Sequence, residues 1–156
     1  MIKLTYMLCF TAILSCRPEL GTISVQKKAS VVREIQEFFE RYFDAIASDG
    51  LMAEADYLDQ SEDFFWVPPG YHSSISYDSV MNVLRVSAPQ FTSVKNSFDS
   101  LRINVFNEKL ASYTGILQSI ITDTSGNVKS IQLIETGVVI KREDGWKLLN
   151  GQTCVY

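Results

Sequence analysis

Four stretches in the second half of the chain decide the fold: NSFDSLRINVFN (96–107), KLASYTGILQSIITD (109–123), VKSIQLIETGVVIKR (128–142) and WKLLNGQTCVY (146–156). Each alternates apolar and polar residues with a period of two and is rich in Val, Ile, Thr, Tyr and Phe, which predicts β-strands. Their separators NEK, TSGN and EDG are short turn sequences. Consecutive strands are therefore expected to pair as antiparallel hairpins in a meander.

The residues before Phe91 have a helical period instead. From Val31, apolar residues recur at positions 35, 38, 39, 42 and 46 with charged residues between them, which predicts a long amphipathic first helix. Ser30 is its expected cap, and Asp49-Gly50 is its expected end.

Two further helices are predicted, in LMAEADYLDQ (51–60) and in YDSVMNVLRVSA (77–88). The second of these has Ser76 or Asp78 as its cap and ends before Pro89. Between them, DFFWV (63–67) predicts a brief strand stopped by two prolines. The order predicts an α+β fold with three N-terminal helices packed on one face of a curved antiparallel sheet.

Composition and charge limit the function classes. The chain has 156 residues, of which 46% are hydrophobic, so it is expected to form one globular domain with a real core. Its formal net charge is −4. Binding to nucleic acid depends on clustered Lys and Arg, and the adjacent basic pairs Lys27-Lys28 and Lys141-Arg142 form no such patch, so nucleic acid is not an expected partner.

The N-terminal residues resemble a bacterial lipoprotein signal. Lys3 precedes the apolar run LTYMLCFTAIL (4–14), which is too short for a permanent membrane span, and ILSC (13–16) ends in Cys16. We expect a signal peptide over residues 1–15, a lipidated Cys16 with a tether to residue 29, and one domain over residues 30–156. The alternatives are an ordinary cleaved signal or a buried hydrophobic start.

The order of elements, together with RYFDAIASDG (41–50), DFFWVPPG (63–70) and GWKLLNGQT (145–153), resembles the nuclear transport factor 2-like superfamily in its SnoaL-like branch. The resemblance covers about residues 30–156. It implies a cone of helices wrapped inside a curved sheet (the cystatin-like fold), with a pocket at the wide end and a homodimer through the outer face of the sheet. The superfamily hosts many activities, so the resemblance implies architecture rather than a reaction.

The terminal strand of that family commonly carries two histidines that face the pocket. In this chain Asn150 and Gln152 stand at those positions. Strand alternation puts them on the same face as Trp146 and Leu148, so their amides are expected to line the pocket. The alternative is that both amides bond backbone at a sheet edge, with Gly151 at a bulge.

Tyr42 and Trp66 are the other expected ligand-binding residues. Tyr42 resembles a tyrosine on the first helix of the ketosteroid isomerase branch, which donates a hydrogen bond to an oxyanion. That enzyme also needs a carboxylate base, but Val67 stands at the aligned position and Asp63 is out of register. Tyr42 is therefore expected to be a core aromatic whose hydroxyl reaches the pocket, and no catalytic residue is assigned.

Other chemistries have weak support in the sequence. His72 is the single histidine and is expected to lie in an exposed loop, since no spacing pairs it with a carboxylate. With one histidine and no cysteine pair, neither a metal site nor a cofactor is expected.

These observations favour a lipid-anchored protein of the bacterial cell envelope, on its periplasmic or outer-membrane face, whose pocket binds a small apolar ligand without converting it. One alternative is an enzyme of the isomerase, dehydratase or cyclase type that uses Tyr42 with His72 or Asp63. The other is a dimerisation or protein-interaction module that acts through the outer face of the sheet.

Replacing Cys16 tests the expected anchor. Cys16→Ala should release the protein from the membrane fraction, because lipidation of this cysteine is the predicted attachment. Fractionation of cells that express either form, followed by immunoblotting, measures the effect, and Cys154→Ala is the control. An unchanged distribution would contradict the lipoprotein interpretation.

Overall fold

The computed structural model describes residues 23–156, so the predicted signal peptide and Cys16 lie outside the described residues. Its elements, in chain order, are helix α1 (Val25–Asp49), a 3-10 helix (Leu51–Tyr57), strand β1 (Phe65–Val67), helix α2 (Tyr77–Ser87), a 3-10 turn (Ala88–Gln90), and strands β2 (Phe91–Asn107), β3 (Leu110–Asp123), β4 (Val128–Arg142) and β5 (Gly145–Val155).

The sheet has the order β1-β5-β4-β3-β2. Strands β2 to β5 form the predicted antiparallel meander. Strand β1 adds to the far edge and runs parallel to β5. Strand β2 has three register shifts, and such bulges increase the bend and twist of a strand. The predicted α+β fold with a curved sheet is confirmed.

Helix α1 begins six residues before the predicted start at Val31. Ser24, not Ser30, is its cap, and the Ser24 side chain accepts a hydrogen bond from the backbone N–H of Lys27 at 3.2 Å. The earlier start follows from VQKKAS (25–30), because Gln, Lys and Ala favour helix without needing to be buried. Burial does begin at Val31, as the periodicity predicts. The predicted second helix is the 3-10 helix.

Aromatic side chains of α1 form the centre of the core. Phe38 and Phe39 are each 2% exposed. The ring of Phe39 packs edge-on against Phe98 of β2 and Tyr113 of β3, at centroid distances of 5.1 and 4.7 Å. Each such buried side chain contributes roughly 1.5–3 kcal/mol to stability. This packing holds α1 across the concave face of the sheet.

Two ion pairs connect the helical layer and its loops to the sheet. Lys141 of β4 pairs with Glu34 of α1, which also accepts a hydrogen bond from the indole of Trp146 at 3.2 Å. Arg142 donates to both carboxylate oxygens of Asp59, at 2.6 and 3.2 Å. Asp59 is 3% exposed, so its charge depends on this partner.

Burial opposes ionisation of Asp59, but the hydrogen bonds from Arg142 and Ser61 outweigh that effect and lower its pKa to about 2. Because the pKa in the folded state is below the usual 3.8, the pair stabilises the fold fully above that pH. The stabilisation is lost as the pH falls towards 2.

Within residues 23–156, no helix is long and apolar enough to cross a membrane.

Removing the partner of Asp59 tests the Asp59–Arg142 pair. Arg142→Ala should lower the free energy of unfolding at pH 7 by roughly 1–3 kcal/mol, because a buried carboxylate loses its charged donor. Urea unfolding measures the change. Arg102→Ala is the matched control, since Arg102 is exposed on β2 and should shift stability by less than about 0.5 kcal/mol. Equal effects of both substitutions would contradict a stabilising role for the pair.

Candidate functional site

A cavity of about 250 Å³ lies between the concave face of the sheet and the helical elements. We call it the central cavity. Its walls come from α1, the 3-10 helix, α2, strands β2 to β5, and the segment from Trp66 to Pro69. Most of the wall is apolar, and a few polar groups project into it, as is typical of small-molecule sites.

Glu135 of β4 is the polar centre of the cavity wall. It is 7% exposed and lies directly opposite Thr153 of β5. Thr153 Oγ1 donates to Glu135 Oε2 at 3.2 Å, and the indole Nε1 of Trp66 donates to Thr153 Oγ1 at 3.2 Å. A line of hydrogen bonds therefore runs from the edge strand β1 to this carboxyl.

Tyr113 supplies the second donor to Glu135. Its hydroxyl donates to Glu135 Oε1 at 2.8 Å. Tyr113 lies directly opposite Gly137, where an added Cβ would be 3.1 Å from the tyrosine oxygen and 2.6 Å from the backbone oxygen of Asn150. Glycine at this position lets the ring lie across the backbone of β4 and reach Glu135.

A second carboxyl, Glu54, reaches the cavity from the 3-10 helix, and Tyr42 reaches it from α1. Glu54 is half-buried. Tyr42 is 6% exposed, and its hydroxyl faces Glu54. The cavity is thus lined by two carboxyl groups and one tyrosine within a mostly apolar wall.

The two carboxyl groups hold protons at higher pH than usual. Burial raises the pKa of Glu135 to about 7, although the hydrogen bonds from Tyr113 and Thr153 act in the opposite direction. Burial, and then repulsion from Glu135, raises the pKa of Glu54 to about 7, while the Tyr42 hydroxyl lowers it in part. Because the two groups repel, near neutral pH the pair tends to hold one proton.

Burial also raises the pKa values of Tyr42 and Tyr113 well above their usual range, so both phenols stay protonated and act as donors.

The structure brings two of the four predicted ligand-binding residues to the cavity. Tyr42 and Trp66 line it, but Asn150 and Gln152 do not. The alternation used to place those amides is wrong because β5 contains a bulge: Leu148 pairs with Val139 and Asn150 with Val138, which leaves Leu149 as the extra residue. An extra residue inverts the inward and outward faces beyond it.

After the bulge, Gly151 and Thr153 face inward. Trp66 lies against Gly151, where an added Cβ would be 2.8 Å from the indole. Gln152 is exposed, and Asn150 aligns with Phe65 of β1. The alternative of an open sheet edge with a bulge at Gly151 is also wrong, since β1 covers these residues and the bulge lies at Leu149.

His72 and Asp63 are both exposed and do not line the cavity. This placement confirms the expectation of an exposed loop histidine. Among residues 23–156, no cluster of three or more His, Cys, Asp or Glu side chains is arranged to hold a metal ion.

Sequence reasoning missed Glu54 and Glu135. A signal for Glu135 is present: Leu133, Glu135, Gly137 and Val139 share the inward period of β4, so a carboxyl stands between apolar inward positions. Glu54 has no comparable signal, since it lies in a short segment without a clear amphipathic period.

Comparison with known proteins gives a fold but no sequence match. No protein-family model and no curated protein sequence matches the chain. Among solved structures, a nuclear transport factor 2-like superfamily protein from Salmonella enterica serovar Typhimurium is 16% identical, with a TM-score of 0.67 over 81% of this chain and 91% of that one. The chain has the nuclear transport factor 2-like fold.

Two other proteins with similar structures carry enzyme names. A Novosphingobium aromaticivorans protein, provisionally assigned as a scytalone dehydratase, is 12% identical, with a TM-score of 0.74 over 85% of this chain and 89% of that one. The hexachlorocyclohexane dehydrochlorinase LinA-type3 from Novosphingobium barchaimii is 13% identical, with a TM-score of 0.65 over 85% of this chain and 90% of that one. At these identities the likeness shows the nuclear transport factor 2-like fold alone.

The raised pKa values predict a pH dependence of stability. Each of these carboxyl groups has a pKa of about 4.5 in the unfolded chain and a higher pKa in the folded protein, so its contribution to stability is fully present below the unfolded pKa. This contribution is lost as the pH rises through about 7. The free energy of unfolding of the wild type should therefore fall between pH 5 and pH 8. In the double variant Glu54→Gln/Glu135→Gln this fall should be smaller by roughly 1–3 kcal/mol.

Denaturant unfolding at the two pH values measures this difference. Glu62→Gln is the matched control, since Glu62 is exposed, and it should keep the wild-type slope. If the double variant showed the same slope as the wild type, the two carboxyl groups would titrate normally.

Proposed function

We propose that the central cavity binds a small, largely apolar molecule that carries a carbonyl group, and transfers a proton on it as an isomerase or a dehydratase does. The main support for the proposal is that two carboxyl groups, Glu54 and Glu135, and one tyrosine, Tyr42, line the same mostly apolar cavity. The expectation of binding without conversion depended on the loss of the family's histidines. Glu54 and Glu135 offer acid-base groups in their place.

Glu135 is assigned as the base. It accepts hydrogen bonds from Tyr113 and Thr153, and donors to a carboxylate favour its ionised form. Each carboxylate oxygen retains further acceptor capacity towards the cavity. A pKa near neutral pH suits a group that takes and returns a proton in the same reaction.

Glu54 and Tyr42 are assigned as hydrogen-bond donors. When Glu135 is ionised, repulsion keeps the proton on Glu54. A protonated carboxyl beside a tyrosine hydroxyl can donate two hydrogen bonds to one oxygen atom. Such an arrangement stabilises the negative charge that develops on a carbonyl oxygen during proton abstraction.

The proposed step breaks a C–H bond next to the carbonyl group of the substrate. The proton moves to Glu135, and the electron pair of the C–H bond delocalises to the carbonyl oxygen as an enolate. Where the substrate has a C=C bond at the β,γ position, the enolate extends over it, and return of the proton to the γ carbon completes an isomerisation. Departure of a β-hydroxyl group as water, with that proton, completes a dehydration.

The fold is consistent with this class of reaction. The two enzyme names given above denote eliminations, one of water and one of hydrogen chloride. The proposal includes the location expected from the sequence, with the domain held at a bacterial membrane through Cys16, which lies outside the described residues.

Deuterium exchange on a simple ketone tests the proton transfer. With 2-tetralone in D₂O, the wild-type domain should accelerate deuterium incorporation next to the carbonyl above the buffer rate. Glu135→Gln should reduce that acceleration by about 100-fold or more, since general-base catalysis contributes about 10²–10⁴. Tyr42→Phe should reduce it by a smaller factor. NMR measures the exchange.

Glu62→Gln is the matched control and should exchange deuterium at the wild-type rate. Exchange that persists in both Glu135→Gln and Tyr42→Phe would contradict the assigned roles. Binding of 2-tetralone without any exchange would favour a ligand-binding protein over an enzyme.

A further inference from the structure

Two polar residues of the cavity wall lie outside the hydrogen-bond network of Glu135. Asn96 of β2 and Ser119 of β3 are direct partners in the sheet, so their side chains lie on the same face. Both line the central cavity. Ser119 is 4% exposed, although its hydroxyl can still rotate to donate or accept a hydrogen bond.

Asn96 carries a buried polar atom without a partner. Its Oδ1 is the one fully buried side-chain nitrogen or oxygen atom within residues 23–156 that makes no hydrogen bond. Folded proteins leave few such groups unpaired, because the loss of hydration is then uncompensated. A rotation of the Asn96 side chain towards the cavity lets a molecule bound there supply the missing donor.

The Asn96–Ser119 pair is well separated from Glu135. Glu135 lies opposite Gly115 of β3, four residues from Ser119 along the same strand. Four residues span about 13 Å in an extended strand. Glu135 and the Asn96–Ser119 pair therefore lie towards opposite ends of a small ligand in the cavity.

The charges of the cavity wall restrict which kind of ligand group the Asn96–Ser119 pair can bind. Asn96 and Ser119 are neutral, and no Lys or Arg stands among the described residues that line the cavity. A carboxylate or phosphate would meet no counter-charge there and would be repelled by the ionised member of the Glu54–Glu135 pair. The Asn96–Ser119 pair instead suits a neutral hydroxyl or amide N–H group of the ligand.

We propose that Asn96 and Ser119 form a second polar contact in the cavity, which accepts a hydrogen bond from a hydroxyl or N–H group at the end of the ligand remote from its carbonyl. This inference rests on the proposed function in that it takes the cavity as the binding site. The ligand class is then a neutral, mostly apolar molecule with a carbonyl at one end and a hydrogen-bond donor at the other.

The first test needs no ligand. If Asn96 Oδ1 is left unpaired for a ligand, Asn96→Leu, which has the same number and branching of side-chain heavy atoms, should raise the melting temperature by about 2–5 °C, because the unpaired buried group is removed. Asn104→Leu is the matched control on the outer face of the same strand, where Asn104 is exposed. A melting temperature lowered in Asn96→Leu alone would assign Asn96 a structural role and overturn the inference.

The second test uses three matched probes: 2-tetralone, 6-hydroxy-2-tetralone and 6-methoxy-2-tetralone. The wild type should bind the hydroxy compound about 3- to 10-fold more tightly than 2-tetralone, the effect of one added hydrogen bond. The methoxy compound has no donor and should gain nothing. In Asn96→Leu the ratio of dissociation constants should fall to about 1, while Asn104→Leu should keep the wild-type ratio. Isothermal titration calorimetry measures the constants.

A hydroxyl preference that persists in Asn96→Leu but disappears in Glu135→Gln would show that the hydroxyl binds at the carboxyl pair, and would overturn the inference. So would a preference for the methoxy compound, or the absence of binding by all three probes. If the hydroxyl preference depends on Asn96 but no deuterium exchange occurs, the second contact stands and the proposed proton transfer fails.

Discussion

The arrangement of the central cavity depends on one extra residue in the last strand. The bulge at Leu149 inverts the faces of β5, so that Thr153 lies opposite Glu135 and Gly151 lies under Trp66. Without it, the amides of Asn150 and Gln152 would face the cavity, and Glu135 would lose one of its two donors. A single bulge in β5 therefore decides which side chains of this strand face the cavity.

Strand β1 completes this arrangement from the edge of the sheet. It is three residues long, but its parallel pairing places Trp66 beside Gly151 and within hydrogen-bond distance of Thr153. The prolines that follow end the strand and form part of the cavity wall. The terminal residues of β5 are thereby held between two strands, which favours a fixed geometry for the groups around Glu135.

The pKa of Asp59 and the pKa values of the two cavity carboxyl groups are shifted in opposite directions, because their hydrogen-bond partners differ. On one side, Asp59 is buried with a bidentate arginine partner, and its pKa lies well below the usual range. In the cavity, Glu135 is buried and Glu54 is half-buried, both with only hydroxyl donors, and their pKa values lie above the usual range. A charged partner stabilises a carboxylate in the fold, whereas hydroxyl donors leave the proton free to move near neutral pH.

The α+β class, the antiparallel meander and the burial that begins at Val31 were predictable from the sequence, because they follow from local periodicity and turn chemistry. The expectation that Tyr42 and Trp66 line a pocket came instead from the resemblance to the nuclear transport factor 2-like superfamily. The start of α1 at Val25 was missed because exposed helical residues carry no hydrophobic period. The site itself depends on tertiary contacts: the phase of β5 is set by its pairing with β4, and Glu54 and Glu135, which are 81 positions apart in the chain, line the same cavity. A bulge and a contact between distant residues are properties of the packed sheet and helices, and no local pattern encodes them.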